Sequence, residues 1–565
     1  MVVNLESPVK NWIFVFLFVN YHMLNKYVFI NHPNIKKSIL LIGFWLICFI
    51  ANAQFSGIEW QNTIGGSEDD YVKVVKQTSD LGFVLGGYSD SGISGKKTNL
   101  NRGGRDFWVV KLDVNGVIVW EKSIGGSDWD ELNSLDITKD GGYILGGYSQ
   151  SGISGDKTEG NIGGRDYWIV KLDANGSIEW QKTVGGTDYE AVNCIKQTSD
   201  LGYIVGGYSS SGISGNKTEA SYGIGDFWVV KLDSTGVIQW DKTFGGTFVN
   251  ELSSISEKNN QGYILGGYST SGVTGNKTAD SLGLGDFWVI SIDKNGSIEW
   301  QKTYGGDGTD YLFSVEKTSD LGFILGGYST SGISGNKTDS CYGAMDYWVI
   351  KIDSLGVIQW QKTIGGDGDD YFQDIHQTAD YGYILAGSSR SGKSGVKTEN
   401  SIGVYDYWIV KLSLTGFIEW DKTLGGYYYN DLNSIAQTSD LGYILGGSSN
   451  SNISVDKSEN CEGNFLYDYW VVKLNNTVSI AEYSSSINYS NVYPNPNSGE
   501  FTITLGDNVS DGVIYIYNSF GDEICFSQSY NQKTINLSLI AKGIYFYKTI
   551  GKNGVVQSGK IVVEN

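Results

Sequence analysis

An all-β chain is predicted: a seven-bladed β-propeller of 60-residue, four-stranded repeats, closed by its own N-terminal strand and followed by a small C-terminal β-sandwich. Three observations predict it. Ile-x-Trp ends at Trp60, Trp120, Trp180, Trp240, Trp300, Trp360 and Trp420, a step of 60 residues without an insertion. Asp-aromatic-Trp ends at Trp108, Trp168, Trp228, Trp288, Trp348, Trp408 and Trp470, so the two motifs use 14 of the 17 tryptophans. Glycine is abundant, at 77, against 4 prolines, and Gln54 to Ser490 holds no proline at all. Glycine turns without proline suit a long series of short antiparallel strands. Self-similarity at a fixed period marks a repeat architecture.

One unit, residues 178–237, shows how each element arises. Ile178 to Thr183 alternates apolar and polar, the mark of a half-buried strand. Gly185-Gly186 and an acidic stretch follow, then a second strand from Val192 to Thr198. Ser199-Asp200-Leu201-Gly202 is a tight turn into a third, Tyr203 to Tyr208. A loop rich in Ser, Gly, Asn and Thr leads to the fourth, Phe227 to Asp233, apolar on both faces. Counterparts of the closing turn, Asn175-Gly176 and Asn295-Gly296, are strong hairpin signals. Four strands in each of seven units make a propeller. The ends agree. Ile58 to Thr63 precedes any complete unit, and the last unit has Tyr469 to Leu474 with no Ile-x-Trp strand after it. Placing the first strand at the outside of the last blade closes the ring and hides its edges.

The composition excludes several functions. The net charge is −21, and residues 1–53 carry Lys10, Lys26, Lys36 and Lys37 against Glu6, leaving −24 on the rest. Only Arg102, Arg105, Arg165 and Arg390 supply arginine. Nucleic acid and anionic membrane surfaces are poor partners for such a body. Beyond His22 and His32 in the leader, His376 stands alone, which rules out a His-rich zinc site. Its repeat equivalents are Asp136, Lys196, Ser256, Glu316 and Ala436, so it reads as a varied surface position rather than a triad member. Cys194, Cys341, Cys461 and Cys525 show no local pairing pattern and read as packing residues.

Residues 1–53 read as a leader. Lys36-Lys37, an apolar run from Ile39 to Ile50 and Ala51-Asn52-Ala53 form a secretory signal, with cleavage expected after Ala53. The run is too short to span a bilayer, which takes about 20 residues. No transmembrane segment is expected in the mature chain. The segment before Lys36 is unusual, and Met23 is an alternative start. Cys48 follows Ile47 rather than the small residue a lipoprotein signal needs.

Two resemblances follow from these residues. Gly125-Gly126, Gly141-Gly142-Tyr143-Ile144, and Asp166-Tyr167-Trp168-Ile169-Val170-Lys171-Leu172-Asp173-x-Asn175-Gly176-x-x-x-Trp180 together resemble the SBBP-type beta-propeller repeat, over residues 55–478. That resemblance implies a fold and no activity. Quinoprotein dehydrogenases carry a similar docking pattern, but on an eight-bladed ring whose cofactor contacts find no match here. After a serine-rich joint at 479–490, the chain reads Val492-Tyr493-Pro494-Asn495-Pro496-x-x-Gly499-x-Phe501, then Val513-Ile514-Tyr515-Ile516-Tyr517, Gly543-Ile544-Tyr545 and Gly559-Lys560-Ile561-Val562. These are alternating strands with glycine turns. Residues 491–565 closely resemble the type A C-terminal sorting domain of the type IX secretion system. The resemblance implies export through that machinery, then release or attachment at the cell surface, with a cut near Ser484–Ser490.

The candidate site residues lie on the loops. The long loops and the Gly-Gly loops open on one face of the disc, and the tight turns on the other. Function concentrates on such loops above a rigid scaffold. Trp129, Tyr189, Phe248, Tyr428 and Tyr429 are placed to stack on sugar or protein. Carboxylates such as Asp367, Asp369 and Asp370 offer hard oxygen ligands for Ca²⁺. The plainer account has the acids capping strand ends and the aromatics packing between blades. Asp106, Asp166, Asp226, Asp286, Asp346, Asp406 and Asp468 recur in every blade and read as strand-end caps. Asp173-x-Asn175-Gly176 reads as a turn, not a calcium loop. Gly387 to Ser394 satisfies Gly-x₄-Gly-Lys-Ser, but no helix follows to hold a phosphate.

The sequence therefore predicts an exported, non-catalytic propeller that binds an extracellular glycan or protein through its loop face, with no cofactor beyond possible Ca²⁺. The alternatives are an extracellular polysaccharide hydrolase or lyase using loop carboxylates, and a structural adhesin component.

Overall fold

The computed structural model describes residues 57–475, 491–504, 511–517, 523–530, 532–536, 542–551 and 556–564. The leader with its cleavage expectation at Ala53, and the joint at 479–490, lie outside them. The chain divides into two units, Met1–Val478 and Ser479–Asn565.

The first unit is the expected ring. In blade 1, Asp70–Gln77, Phe83–Ser89, Asp106–Leu112 and Ile118–Ile124 pair in that order, all antiparallel. Blades 2 to 7 begin with the inner strands Asp130–Ile137, Glu190–Gln197, Asn250–Glu257, Asp310–Lys317, Asp370–Gln377 and Asn430–Gln437. Each inner strand starts one or two residues earlier than the apolar pattern suggests, on the last acid or amide of the Gly-Gly loop. Blade 7 takes Ile58–Ile64 as its outer strand, in register from Ile64↔Tyr469 to Trp60↔Lys473.

The blades are joined by aromatic rings. The residue before each third-strand tryptophan packs on the tryptophan of the next blade, as in Phe107–Trp168 at 4.8 Å and Tyr407–Trp470 at 4.6 Å. Tyr469–Trp108, at 4.7 Å, closes the circle. Where that residue is tyrosine its hydroxyl donates to the tryptophan carbonyl, as from Tyr407 to Trp470 at 2.8 Å and from Tyr469 to Trp108 at 3.1 Å. These seven tryptophans are fully buried. Removing one such side chain typically costs about 3–5 kcal/mol. Over each tryptophan face lies a buried lysine, such as Lys97 at 5.5 Å from Trp108. Burial pushes the Lys157, Lys217 and Lys277 ammonium groups down to about 8.

The second unit is one hydrogen-bonded order of seven strands: Asn491–Tyr493, Glu500–Thr504, Gln532–Asn536, Glu523–Tyr530, Asp511–Tyr517, Gly543–Gly551 and Val556–Val563. A small sandwich was expected here, and the strands instead join in a single seven-stranded order. Its three-stranded and four-stranded parts are linked through the single pair Tyr530↔Gln532. Both parts feed one apolar cluster that includes Phe501, Ile535, Ile514, Tyr545 and Ile561.

The sorting-motif residues hold this unit together. Asn495 Nδ2 donates to the Lys560 carbonyl at 2.8 Å, and its Oδ1 accepts from Val562 N–H at 2.7 Å. Gly499 takes φ +98° as its N–H donates to Asn497. Gly543 opens, and Gly559 sits within, the last paired strands. Tyr493 and its neighbours Pro494 and Pro496 are exposed.

Candidate functional site

The loop face is laced together before any ligand is considered. Ser91 and Ser94 of the blade 1 long loop accept from the backbone N–H of Glu68 (2.9 Å) and Ser67 (2.8 Å) on the Gly-Gly loop. The first residue of each inner strand locks this lacing from below. Asp70 Oδ2 accepts from Gly66 N–H at 2.7 Å and from the Ser91 hydroxyl at 3.1 Å. The recurring third-strand acids are the caps expected of them. Asp106 accepts from Arg102 N–H at 2.5 Å, and Asp406 from Ile402 N–H at 2.6 Å.

Cap and lock meet across each blade junction. A Cβ on Gly65 would collide with Asp468 Oδ1 and come within 2.8 Å of Asp70 Oδ2. Two junctions pair an acid with an amide: Asn250 Nδ2 donates to Asp226 Oδ1 at 3.0 Å, and Asn430 Nδ2 to Asp406 Oδ1 at 3.3 Å. Four others place aspartate against aspartate, and there the Oδ1 atoms of Asp70, Asp468, Asp106, Asp130, Asp286, Asp310, Asp346 and Asp370 are buried without a hydrogen-bond partner. Burial pushes Asp70 and Asp106 up to about 7 and Asp468 up to about 8. A proton held by one acid of each pair would supply the donor that the amide supplies at the other two junctions.

This corrects the grouping of Asp367, Asp369 and Asp370. Asp370 is fully buried in such a junction. Asp369 is bound to Arg390 at 2.6 Å, and Asp367 accepts from the Ser394 hydroxyl at 2.7 Å. Among the described residues no three His, Cys, Asp or Glu side chains come together to hold a metal. The sequence of Gly387 to Ser394 ends a strand and turns, with Lys393 N–H bonded to Asn400, and no helix follows.

The inner strands line a cavity of about 860 Å³ along the ring axis, which reaches the tight turns at Ala379, Ser439 and Leu441. His376 lines it, rather than the outer surface, because the inner strand alternates and this position faces the axis. Its ring lies between Asp374 Oδ2 at 3.2 Å and Glu316 Oε2 at 3.1 Å. Burial alone would lower its pKa, but Asp374 and Glu316 hold it up at about 10. Lys76 and Asp136 pair on the same tier at 2.5 Å. This tier thus holds two separate ion-paired groups, His376 with Asp374 and Glu316, and Lys76 with Asp136.

The loop-face mouth of the ring, beyond the residues that line this cavity, has a character that sequence reasoning missed. Rings run in contact from blade 4 to the edge of blade 7: Tyr268–Tyr311 stacked at 4.6 Å, Tyr311–Tyr328 at 5.8 Å, Tyr328–Tyr371 at 6.2 Å, Tyr371–Tyr405 at 5.5 Å and Tyr405–Tyr429 at 5.9 Å. Phe313 joins at 4.8 Å from Tyr311. All but the exposed Tyr429 are half-buried. Blade 1 continues the ring contacts, with Tyr71 at 5.0 Å from Tyr467 and 5.3 Å from Tyr88, and blades 1 and 2 add Arg105 over Tyr88 at 4.4 Å and Arg165 over Tyr148 at 4.0 Å.

The five predicted aromatics are all exposed, from Tyr429 at 40% to Tyr189 at 58%. They are not one cluster. Tyr429 ends the arc, Tyr428 packs on Phe465 at 5.1 Å, and Trp129 lies 5.1 Å from the Arg105 guanidinium. Phe248 and Tyr189 sit on the other Gly-Gly loops. The signal for the arc was present in the columns of the repeat: position 71 reads Tyr, Glu, Ala, Glu, Tyr, Tyr, Asp around the ring.

Residues 491–564 match the family described as Secretion system C-terminal sorting domain. The chain thus ends in a type IX sorting domain and is exported to the cell surface or the extracellular space. It is 22% identical over 420 residues to Regulatory protein FlaEY of Caulobacter vibrioides, a match covering 66% of this chain and 42% of that protein. The chain therefore spans less than half the length of that relative. Among solved structures, the Pan2 WD40 domain of Neurospora crassa has a TM-score of 0.39 at 9% identity, covering 75% of this chain and 98% of that one. YCF48 bound to D1 peptide has a TM-score of 0.37 at 7% identity, with coverages of 75% and 98%.

Proposed function

We propose that this exported propeller is a non-catalytic binder that takes an extracellular glycan at the loop-face mouth of its ring. The arc of touching rings from Tyr268 to Tyr429 is the observation that carries this reading. Ring faces stack on the apolar faces of sugars, and tyrosine hydroxyls keep a polar end in water. Glu251 and Asp431, half-buried at the same tier, add acceptors for sugar hydroxyls. Only a scaffold that fixes these side chains keeps the entropy cost of binding low, and the locked loops of this face supply one.

A glycan-array screen of the mature chain tests it. A specific hit is expected, weakened at least ten-fold by Tyr371→Ala with an unchanged melting temperature. Silence on the array together with a partner recovered from extracellular protein would replace the glycan by a protein. Silence in both would leave a structural spacer.

One observation favours a second reading, hydrolysis. Burial pushes Asp431 at the mouth up to about 6, against a Ser388 hydrogen bond and the charge of Lys73. A carboxyl still protonated near neutral pH can act as a general acid. Release of reducing ends from polysaccharide, abolished by Asp431→Asn, would establish it.

A further inference from the structure

We infer that Arg165 anchors a carboxylate of the ligand, so that the glycan taken at the loop-face mouth carries uronic acid units. This rests on the loop-face binding proposed above and names the class of sugar. The repeat supplies its own reference. Arg105 and Arg165 hold the same position in blades 1 and 2, each with its guanidinium over a tyrosine ring. Arg105 is neutralised within the protein. Its Nε and Nη2 bond Asp90 at 2.9 and 3.1 Å, and its Nη1 reaches Glu131. In blade 2 the residues standing at those two acid positions are Gln150 and Ala191. Both counter-charges are gone while the arginine and its ring are kept.

Arg165 consequently has no ion pair or side-chain hydrogen bond among the described residues, and its Nε is buried with no partner at all. The other arginines of the ring each hold a carboxylate: Arg102 with Asp156 at 3.0 Å and Arg390 with Asp369 at 2.6 Å. A desolvated donor left unmade costs stability. A guanidinium held over a ring keeps its remaining N–H groups in the planar fork that matches a carboxylate.

The neighbouring surface suits a sugar rather than a peptide. The Tyr189 ring lies against Gly164, where a Cβ would be 3.1 Å from it, and it stays 58% exposed. Its backbone bridges Arg165 directly. An exposed ring and an unpaired guanidinium on bridged residues suit a pyranose face and the carboxylate it bears.

Calorimetric titration of the mature chain with uronate oligosaccharides (oligogalacturonate, alginate, glucuronan) and with their carboxyl-reduced counterparts decides the matter. At least one acidic sugar is expected to bind ten-fold or more tightly than its reduced form, with an advantage that falls as salt rises. Arg165→Gln should erase that advantage. So should Gln150→Asp with Ala191→Glu, which rebuilds the neutralised fork of blade 1 and leaves Arg165 in place. Both variants should keep their affinity for the reduced sugar. Equal binding of acidic and reduced forms by the parent, or an advantage that survives both variants, overturns the inference and leaves the glycan reading standing. No binding of either form overturns the inference, and array hits on other sugars then decide whether the glycan reading falls with it.

Discussion

At the facing position, the two junctions that flank blade 7 differ in a single functional group. On one side Asn430 donates its amide N–H to Asp406 at 3.3 Å. On the other, Asp70 faces Asp468, and neither Oδ1 has a partner. Both frames have a capped long loop, a locked Gly-Gly loop and a fully buried site, with Asp406 capping Ile402 N–H and Asp468, in a loop two residues longer, capping Glu462 N–H. What one junction gets from a covalent N–H, the other must get from a proton. A repeat protein can therefore carry a pH-dependent part in some junctions and a pH-independent one in others, with no change of fold.

Removing the shared frame should have the largest effect. Asp468→Ala strips the cap from the Glu462 N–H and leaves Asp70 buried without its counterpart. Thermal unfolding should show a loss of about 2–4 kcal/mol. A value under 0.5 kcal/mol would mean that the cap is incidental.

Next comes pH. Asp70 and Asp468 are pushed by burial from an ordinary value of 3.8 to about 7 and about 8. Groups raised in this way bind their proton more tightly when folded. Their stabilisation is complete below about 4 and is lost as pH climbs through 7 to 8. His376, held near 10, has the same sign. Asp80 and Asp140, held near 2, lose their contribution only below about 4. The melting temperature should thus be higher at pH 5 than at pH 8. A flat or rising profile over that range would contradict proton sharing.

Asp70→Asn copies the amide junction and sharpens the comparison further. At pH 8 it should stabilise the ring by about 1 kcal/mol, the worth of one hydrogen bond. The smallest effect is expected from the same variant at pH 5, where the proton is already present: a change within about 0.5 kcal/mol. Equal effects at both pH values would show that the proton is not what the amide replaces.

Periodic features of the ring were legible in the sequence. The 60-residue step, the tryptophan pairs and the orphan strand at Ile58 each follow from counting along one chain. Features that depend on neighbouring blades were not. Asp370 was grouped with Asp367 and Asp369 because they are adjacent in sequence, yet it is the first residue of a strand and points into the junction with Asp346. His376 looked superficial because its column varies. Variation is what an axial lining shows when each blade pairs with the next, as Lys76 does with Asp136. The aromatic arc and the bare Arg165 appear only when the columns are read around the circle. The sorting domain was legible because its motif residues do local work, as Asn495 does in holding Lys560 and Val562.

The seam at Ile58–Ile64 also sets how the ring bears load. The chain enters at Ile58 and leaves at Leu474, and these two residues are paired neighbours. A pull between the two ends opens that pair first and peels the strand away one bond at a time. A pull between a ligand on the loop face and the C-terminal end runs along Asp468–Leu474, which is held on both sides by strands that must slide together. The same ring is therefore weak against a pull on its two ends and strong against a pull between its loop face and its C-terminal strand.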